Sequence, residues 1–209
     1  MSPRTLAITG IALLAAGAAV GAAVVLVPAV SAVDGWWNGA MADVRSAVPV
    51  VGIARVLNHA GGGWIATWAV PLGLILLLLV MRRWRAVPFA VIAMIASTGA
   101  VQLIKTLVAR ARPEDMLVGS DFGSFPSGHT AHAATLAIVL CLVFPRIWMI
   151  VIGGAWTISM ALSRTVLSVH WLTDTIGGAL VGAGAALLIG ALFARWAPLA
   201  RRRAPRTEG

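Results

Sequence analysis

Six apolar stretches, at about residues 6–27, 64–81, 88–108, 130–144, 147–162 and 174–196, constrain this chain more than any other feature. A bilayer interior offers no partner to a backbone N–H or C=O, so a crossing segment closes its own hydrogen bonds as a helix of roughly 20 apolar residues. Mean hydropathy is +0.93 and 60% of residues are hydrophobic, too apolar for an ordinary water-soluble domain. The pattern predicts an all-α integral membrane bundle of six transmembrane helices, a single membrane domain over residues 1–209 with a basic tail at 198–209. The fourth and fifth stretches are short, so the polar residues at their ends are expected slightly below the headgroups.

In a six-span arrangement Arg4, Arg82, Arg83, Arg85, Arg146, Arg195 and the tail arginines share one side, while Arg45, Arg55, Lys105, Arg110, Arg112 and Arg164 share the other. The richer side marks the cytoplasm, which predicts two cytoplasmic termini in a multi-pass protein of the cell membrane. Orientation thereby accounts for most of the net charge of +9, and no nucleic-acid partner is expected. The lone cysteine, Cys141, excludes an intramolecular disulfide and a cysteine-based metal cluster. Arg4 precedes an apolar core of about 22 residues, longer than the 7 to 15 of a cleavable signal peptide, so the first stretch reads as a retained helix.

Between the first two stretches, Asp34 is placed to cap a short helix in which Trp37, Met41, Val44 and Val48 recur at helical steps before Pro49 ends it. Two readings stand for this segment: an outer amphipathic helix bordering lipid entry, or a loop lying on the membrane. Most of the nine tryptophans fall near span ends, as interfacial anchors do. Gly178 and Gly182, one turn apart, read as internal helix packing.

Three polar blocks sit at span ends, and the six-span alternation brings all three to the outer side. In the first, Lys105 and Arg112 are two helical turns apart and share a face if helix persists, with Pro113 stopping it. They either converge on one anion or, in the case of Lys105, simply snorkel to the interface. Arg110 falls off that face and reads as interfacial, and Glu114 and Asp115 as loop charges. In the second block, Ser127 and Gly128 open a helix whose first N–H groups are available to an anion. The Ser127 hydroxyl can cap that helix or donate to the anion. His129 follows, and His132, one turn later, reads as a packed helix histidine rather than a metal ligand.

The third block runs Ser163-Arg164, five residues, His170, three residues, Asp174. In a helix from position 170, the Asp174 carboxylate holds one nitrogen of His170 and leaves a lone pair on the other, which is a nucleophile. The alternative is an Arg164–Asp174 ion pair with His170 as filler. Charged groups at membrane depth cost about 2.5–3.5 kcal/mol each on insertion scales, so clustered cations call for a partner. Acids are few, since Asp174 has its own task and Glu114, Asp115 and Asp121 lie in one loop. A bound phosphate supplies the missing charge.

Together the blocks resemble the signature of the phosphatidic acid phosphatase type 2 superfamily of membrane lipid phosphatases. Lys-x6-Arg-Pro matches Lys105 to Pro113, Pro-Ser-Gly-His matches Pro126 to His129, and Ser-Arg-x5-His-x3-Asp matches Ser163 to Asp174. The resemblance covers roughly residues 60–195. It implies that His170 attacks phosphorus to form a phosphohistidine, that Asp174 orients His170, and that His129 protonates the leaving oxygen and then activates water. It also implies that Lys105, Arg112, Ser127, Gly128 and Arg164 bind the phosphoryl oxygens, with no metal and no cofactor. The expected partner is a lipid phosphate or lipid diphosphate among membrane lipids, hydrolysed at the extracytoplasmic face. A non-catalytic lipid-phosphate binder or translocator is the alternative, disfavoured because binding alone needs neither histidine. Vanadate-dependent halide oxidation is a third, disfavoured by the six spans. Nothing in the chain chooses among phosphatidic acid, phosphatidylglycerophosphate and polyprenyl diphosphates, or indicates an oligomeric state.

Overall fold

The first helix, α1 (Pro3–Leu26), starts where Ser2 Oγ accepts the Thr5 N–H at 3.1 Å, with Pro3 in the first turn. The computed structural model describes residues 1–196, and no strand occurs among them. Val27 is extended ahead of Pro28, which ends α1 and opens α2 (Pro28–Arg45). Asp34 therefore lies inside α2 rather than at the N-cap of a helix that starts after it. Pro49 sits in the first turn of α3 (Val48–Ala60) instead of terminating the preceding helix. Of the two readings of this segment, helix holds, but its inward stripe is polar: Asp34, Asn38 and Arg45 turn toward the protein along with Trp37 and Met41.

A Gly61-Gly62-Gly63 turn, with Gly63 at φ +53°, leads into a π-helical stretch, Ile65–Ala69, continuous with α4 (Val70–Val80). Pro71, which has no N–H to give, stands where the wider turn reverts to α-helix. The remaining helices are α5 (Ala86–Val108), α6 (Gly128–Val143), α7 (Ile147–Val166) and α8 (Leu172–Trp196). Four, at Pro3–Leu26, Ala86–Val108, Ile147–Val166 and Leu172–Ala194, are long and apolar enough to cross a bilayer. Pro49–Ala60 with Ile65–Val80, bent by 46°, makes a fifth if the pair is one span, and Gly128–Val143 is a shorter apolar helix. Residues such as Ile8, Ile11, Leu72, Leu76, Ile150 and Val151 are exposed on the outside, as in a multi-pass membrane protein.

Helix α8 packs against α1, α5 and α6 through small residues. A Cβ on Gly182 would run into the Ala131 carbonyl and one on Gly178 into the Ser127 carbonyl, so this glycine pair serves internal packing as expected. On the opposite face of α8, a Cβ on Gly184 would come 2.9 Å from the Gly10 carbonyl oxygen of α1. One end of the bundle is apolar, with Leu78, Phe89, Val139, Val143 and Ala186 at its centre. The other end buries Lys105, Ser127, Thr130, Arg164, His170 and Asp174. The tail expected at 198–209 lies outside the described residues.

Candidate active site

The three polar blocks meet at that second end, where Lys105, Gly128, His129 and His170 line one cavity of about 430 Å³. The first block arrives differently from the two-turn argument. Helix α5 stops at Val108 because Ala109 adopts a left-handed conformation at φ 46°, so Arg112 is beyond the helix and Pro113 does not end it. Convergence comes from the chain folding back: Lys105 Nζ and Arg112 Nη2 both donate to the Gly123 carbonyl, at 2.5 and 2.9 Å. Lys105 is only 3% exposed, which sets aside a snorkelling role. Arg112 Nη1 donates to the Val169 carbonyl at 2.5 Å and lies 3.2 Å from His170 Nε2.

The two cations are not short of acid, contrary to the sequence-based expectation. Asp121 Oδ1 stands 2.6 Å from Arg112 Nη2 and 3.5 Å from Lys105 Nζ. Arg164 differs. It is 1% exposed, its Nε donates to Ser163 Oγ at 3.3 Å and its Nη1 to Asn58 Oδ1 at 2.7 Å, while the buried Nη2 has no protein partner. The alternative Arg164–Asp174 ion pair is not formed. A buried guanidinium satisfied only by neutral oxygens, with one nitrogen left over, is a costly arrangement that an anion relieves.

The second block supplies a helix terminus. Ser127 is the N-cap of α6 by position, yet its side chain caps no N–H and instead accepts from Thr130 Oγ1 at 3.2 Å. Its backbone N–H donates to the Asp174 carbonyl at 2.9 Å, tying the second block to the third. A Cβ on Gly128 would meet only Val101 Cγ1, at 3.8 Å, so the room in front of this first α6 residue belongs to the cavity rather than to packing. His129 Nε2 is buried without a protein partner. His132 faces a second, apolar cavity of about 700 Å³ between α4, α5 and α6, which shares Gly62, Gly63, Gln102, Gly128 and His129 with the polar one. The polar chamber thus adjoins an apolar groove.

In the third block, His170 sits in the coil between α7 and α8, 4% exposed, with Nδ1 3.5 Å from Asp174 Oδ2. That distance is an ion-pair approach rather than a formed hydrogen bond, and Nδ1 has no hydrogen-bond partner. The tautomer follows from the other nitrogen. A guanidinium only donates, so Nε2 accepts from Arg112 and the proton resides on Nδ1, toward Asp174. Burial pushes the His170 pKa below its ordinary value of 6.5, against the pull of Asp174.

Asp174 is held by a residue outside the third block. Arg110, expected as an interfacial charge, donates through Nη1 to Asp174 Oδ1 at 2.6 Å and through Nη2 to Asp34 Oδ2 at 2.7 Å. Asp115 is likewise more than a loop charge, since it accepts from Ser168 Oγ at 2.5 Å, Arg45 Nη1 at 2.5 Å and Asn38 Nδ2 at 3.2 Å. Gly62 and Asn58, absent from any signature, crowd His129 and hold Arg164. Among the described residues no three His, Cys, Asp or Glu side chains cluster as a metal-ligand set.

Known proteins resemble this arrangement in sequence and in fold. A decaprenylphosphoryl-5-phosphoribose phosphatase of Mycolicibacterium smegmatis is 34% identical over 133 residues, covering 60% of this chain and 69% of that protein. An undecaprenyl-diphosphatase of Sulfolobus acidocaldarius is 30% identical over 115 residues, 51% of this chain. The chain spans 55% of the length of this second relative, and less of some others. The crystal structure of a transmembrane PAP2 type phosphatidylglycerolphosphate phosphatase from Bacillus subtilis shares the fold, with a TM-score of 0.69 at 21% identity over 90% of this chain and 94% of that one. The sequence model of the PAP2 superfamily matches residues 86–198, which contain every block that lines the polar cavity, and the chain belongs to that superfamily.

Proposed function

We propose that the protein is a metal-independent membrane phosphatase that hydrolyses lipid phosphates or polyprenyl diphosphates through a phosphohistidine. The observation that carries this reading is the pair of buried, unpartnered nitrogens, Arg164 Nη2 and His129 Nε2, at the end of the bundle where His170 presents Nε2. The apolar groove beside the polar cavity suits a substrate with a phosphate at one end and a hydrocarbon tail at the other. The named activities of the relatives, on undecaprenyl diphosphate and on a decaprenylphosphoryl sugar phosphate, point the same way.

In the first step His170 Nε2 attacks phosphorus, the P–O bond to the lipid breaks, and the leaving oxygen takes a proton from His129. In the second, water attacks the phosphohistidine, its proton passes to His129, the P–N bond breaks, and inorganic phosphate leaves. Asp174 stabilises the positive charge on the phosphorylated imidazole. Lys105, Arg112, Arg164, Ser127 and the Gly128 backbone bind the phosphoryl oxygens, and these fixed cations take the part a magnesium ion plays elsewhere.

The chain is read as one membrane domain of six spans, both termini cytoplasmic and the site facing outward. The fourth, Gly128–Val143, is short as expected, whereas the fifth, expected to be short, is the 20-residue helix Ile147–Val166, which continues through Ser163 and Arg164. The arginine distribution supports that orientation. A phosphate-release screen over phosphatidic acid, phosphatidylglycerophosphate and polyprenyl diphosphates in detergent tests the proposal. Release that survives EDTA, is inhibited by vanadate and disappears in His170→Ala is expected; turnover by His170→Ala overturns the nucleophile.

A further inference from the structure

Asp34 lies on α2, some 140 positions from the block it serves, yet it is 1% exposed and carries three hydrogen bonds, two at the start of α8 and one to Arg110. Its Oδ1 accepts the Thr173 N–H at 3.0 Å, and its Oδ2 accepts Thr173 Oγ1 at 2.5 Å and Arg110 Nη2 at 2.7 Å. Thr173 is the second residue of α8, so Asp34 meets from a different helix one of the orphan N–H groups that an N-cap side chain ordinarily satisfies. Arg110 Nη1 continues the chain, donating to Thr173 Oγ1 at 2.8 Å and to Asp174 Oδ1 at 2.6 Å. Asp174 Oδ2 then accepts the Trp171 N–H at 2.9 Å and faces His170 Nδ1.

We infer that Asp34 and Arg110 are positioning residues for the proposed nucleophile, acting together to fix the rotation of the Asp174 carboxylate and to set how much of its negative charge reaches His170. The inference rests on the reading of His170 as nucleophile. Two physical demands explain why one cation is shared by two acids. Asp174 is 0% exposed, and a carboxylate so buried is expensive unless it is paired. An undivided Arg110–Asp174 pair would cancel the charge that His170 needs when it becomes cationic. Asp34 draws part of the guanidinium to itself, leaving the Asp34–Arg110–Asp174 triad with a net charge of about −1 beside the imidazole.

The other groups that bear on His170 are Asp174 from α8, Lys105 from α5, Arg112 from the α5–α6 segment and His129 from α6. Asp121 and His59 line the same cavity, and Arg164 of α7 acts on His129. All stay unchanged in the variants below, so a shift between variants reports the triad.

The experiment is the pH dependence of kcat and kcat/KM for phosphate release from a lipid phosphate by wild type, Arg110→Met, Arg110→Lys and Asp34→Asn in detergent. Loss of orientation is expected to lower kcat about 10- to 100-fold in Arg110→Met and less in Arg110→Lys, whose single ammonium reaches one carboxylate at a time. Removing the cation strengthens the field of Asp174, so the acid limb of kcat/KM moves to higher pH by about half a unit or more in Arg110→Met. Removing the negative charge of Asp34 unmasks Arg110 and moves the same limb to lower pH in Asp34→Asn, which retains an acceptor for the Thr173 N–H. A packing role alone would produce no opposed shifts. Should Arg110→Met fail to fold, Arg110→Lys and Asp34→Asn still decide the matter. Acid limbs that coincide with wild type, with kcat unchanged, overturn the inference while leaving the phosphatase reading intact. A wild-type protein inactive on every lipid phosphate, or an active His170→Ala, removes the reading itself.

Discussion

Gly62 packs so closely against His129 that a Cβ at position 62 would overlap the ring at Nε2, and it would also come 2.9 Å from the Asn58 carbonyl oxygen. The glycine turn between α3 and α4 therefore sets where the proposed general acid can stand. Gly62→Ala is expected to displace the imidazole by a few tenths of an ångström or more and to lower kcat about 10- to 100-fold, with little change in KM. Steady-state kinetics of this variant beside Gly52→Ala, where a Cβ would meet nothing, provides the check. Equal kcat values for the two would contradict the placement of His129.

Asp121 pairs with Arg112 and Lys105, so a phosphate drawn to these two cations competes with it. Its side chain is 64% exposed, which makes the competition weak, on the order of 0.5–1 kcal/mol. Asp121→Asn should tighten vanadate inhibition about two- to fivefold, the more so at low ionic strength. Weaker inhibition would instead make Asp121 part of the anion site.

The pH profile of kcat/KM should be bell-shaped, because His170 must begin neutral and His129 protonated. Activity is lost as pH falls through the pKa of His170 in the free enzyme. Burial holds that pKa below 6.5, so the acid limb should have its midpoint below pH 6.5. A limb centred above 7 would mean that the Asp174 charge outweighs burial.

Outside the site, the Arg45, Asn38 and Ser168 side chains converge on Asp115 and join α2 to the turn before α8. Partial burial pushes the Asp115 carboxyl up, but the hydrogen bonds from Ser168, Arg45 and Asn38 prevail and hold it at about 2, against 3.8 ordinarily. A depressed acid stabilises the fold above its unfolded pKa and loses that contribution as pH falls through the folded one. Thermal stability in detergent should therefore drop between pH 4 and pH 2, by about 1 kcal/mol from this group once solvent screening of its 48% exposed side chain is allowed for. In Asp115→Asn the drop should be smaller.

The apolar pattern made the helices legible, because a segment that buries no backbone polar group against water has one regular solution. The three blocks were legible because each packs its chemistry into a dozen residues or fewer. What stayed hidden depends on chain reversal. The left-handed turn at Ala109 carries no glycine to announce it, so Arg112 looked helical, and the loop that returns Asp121 to Lys105 is set by tertiary contacts. Arg110 looked off-face for the same reason. Asp34 reads locally as a helix cap, because its partners lie at positions 110 and 173, which no local spacing reveals.

Trapping the covalent intermediate tests the central claim most directly. Rapid quenching of the enzyme with a lipid phosphate substrate into alkali, followed by peptide mass spectrometry, should find one phosphoryl group on His170 and none on His129. A phosphoryl group on another residue, or none at all in an enzyme that turns over and whose His170→Ala variant still releases phosphate, would contradict the account.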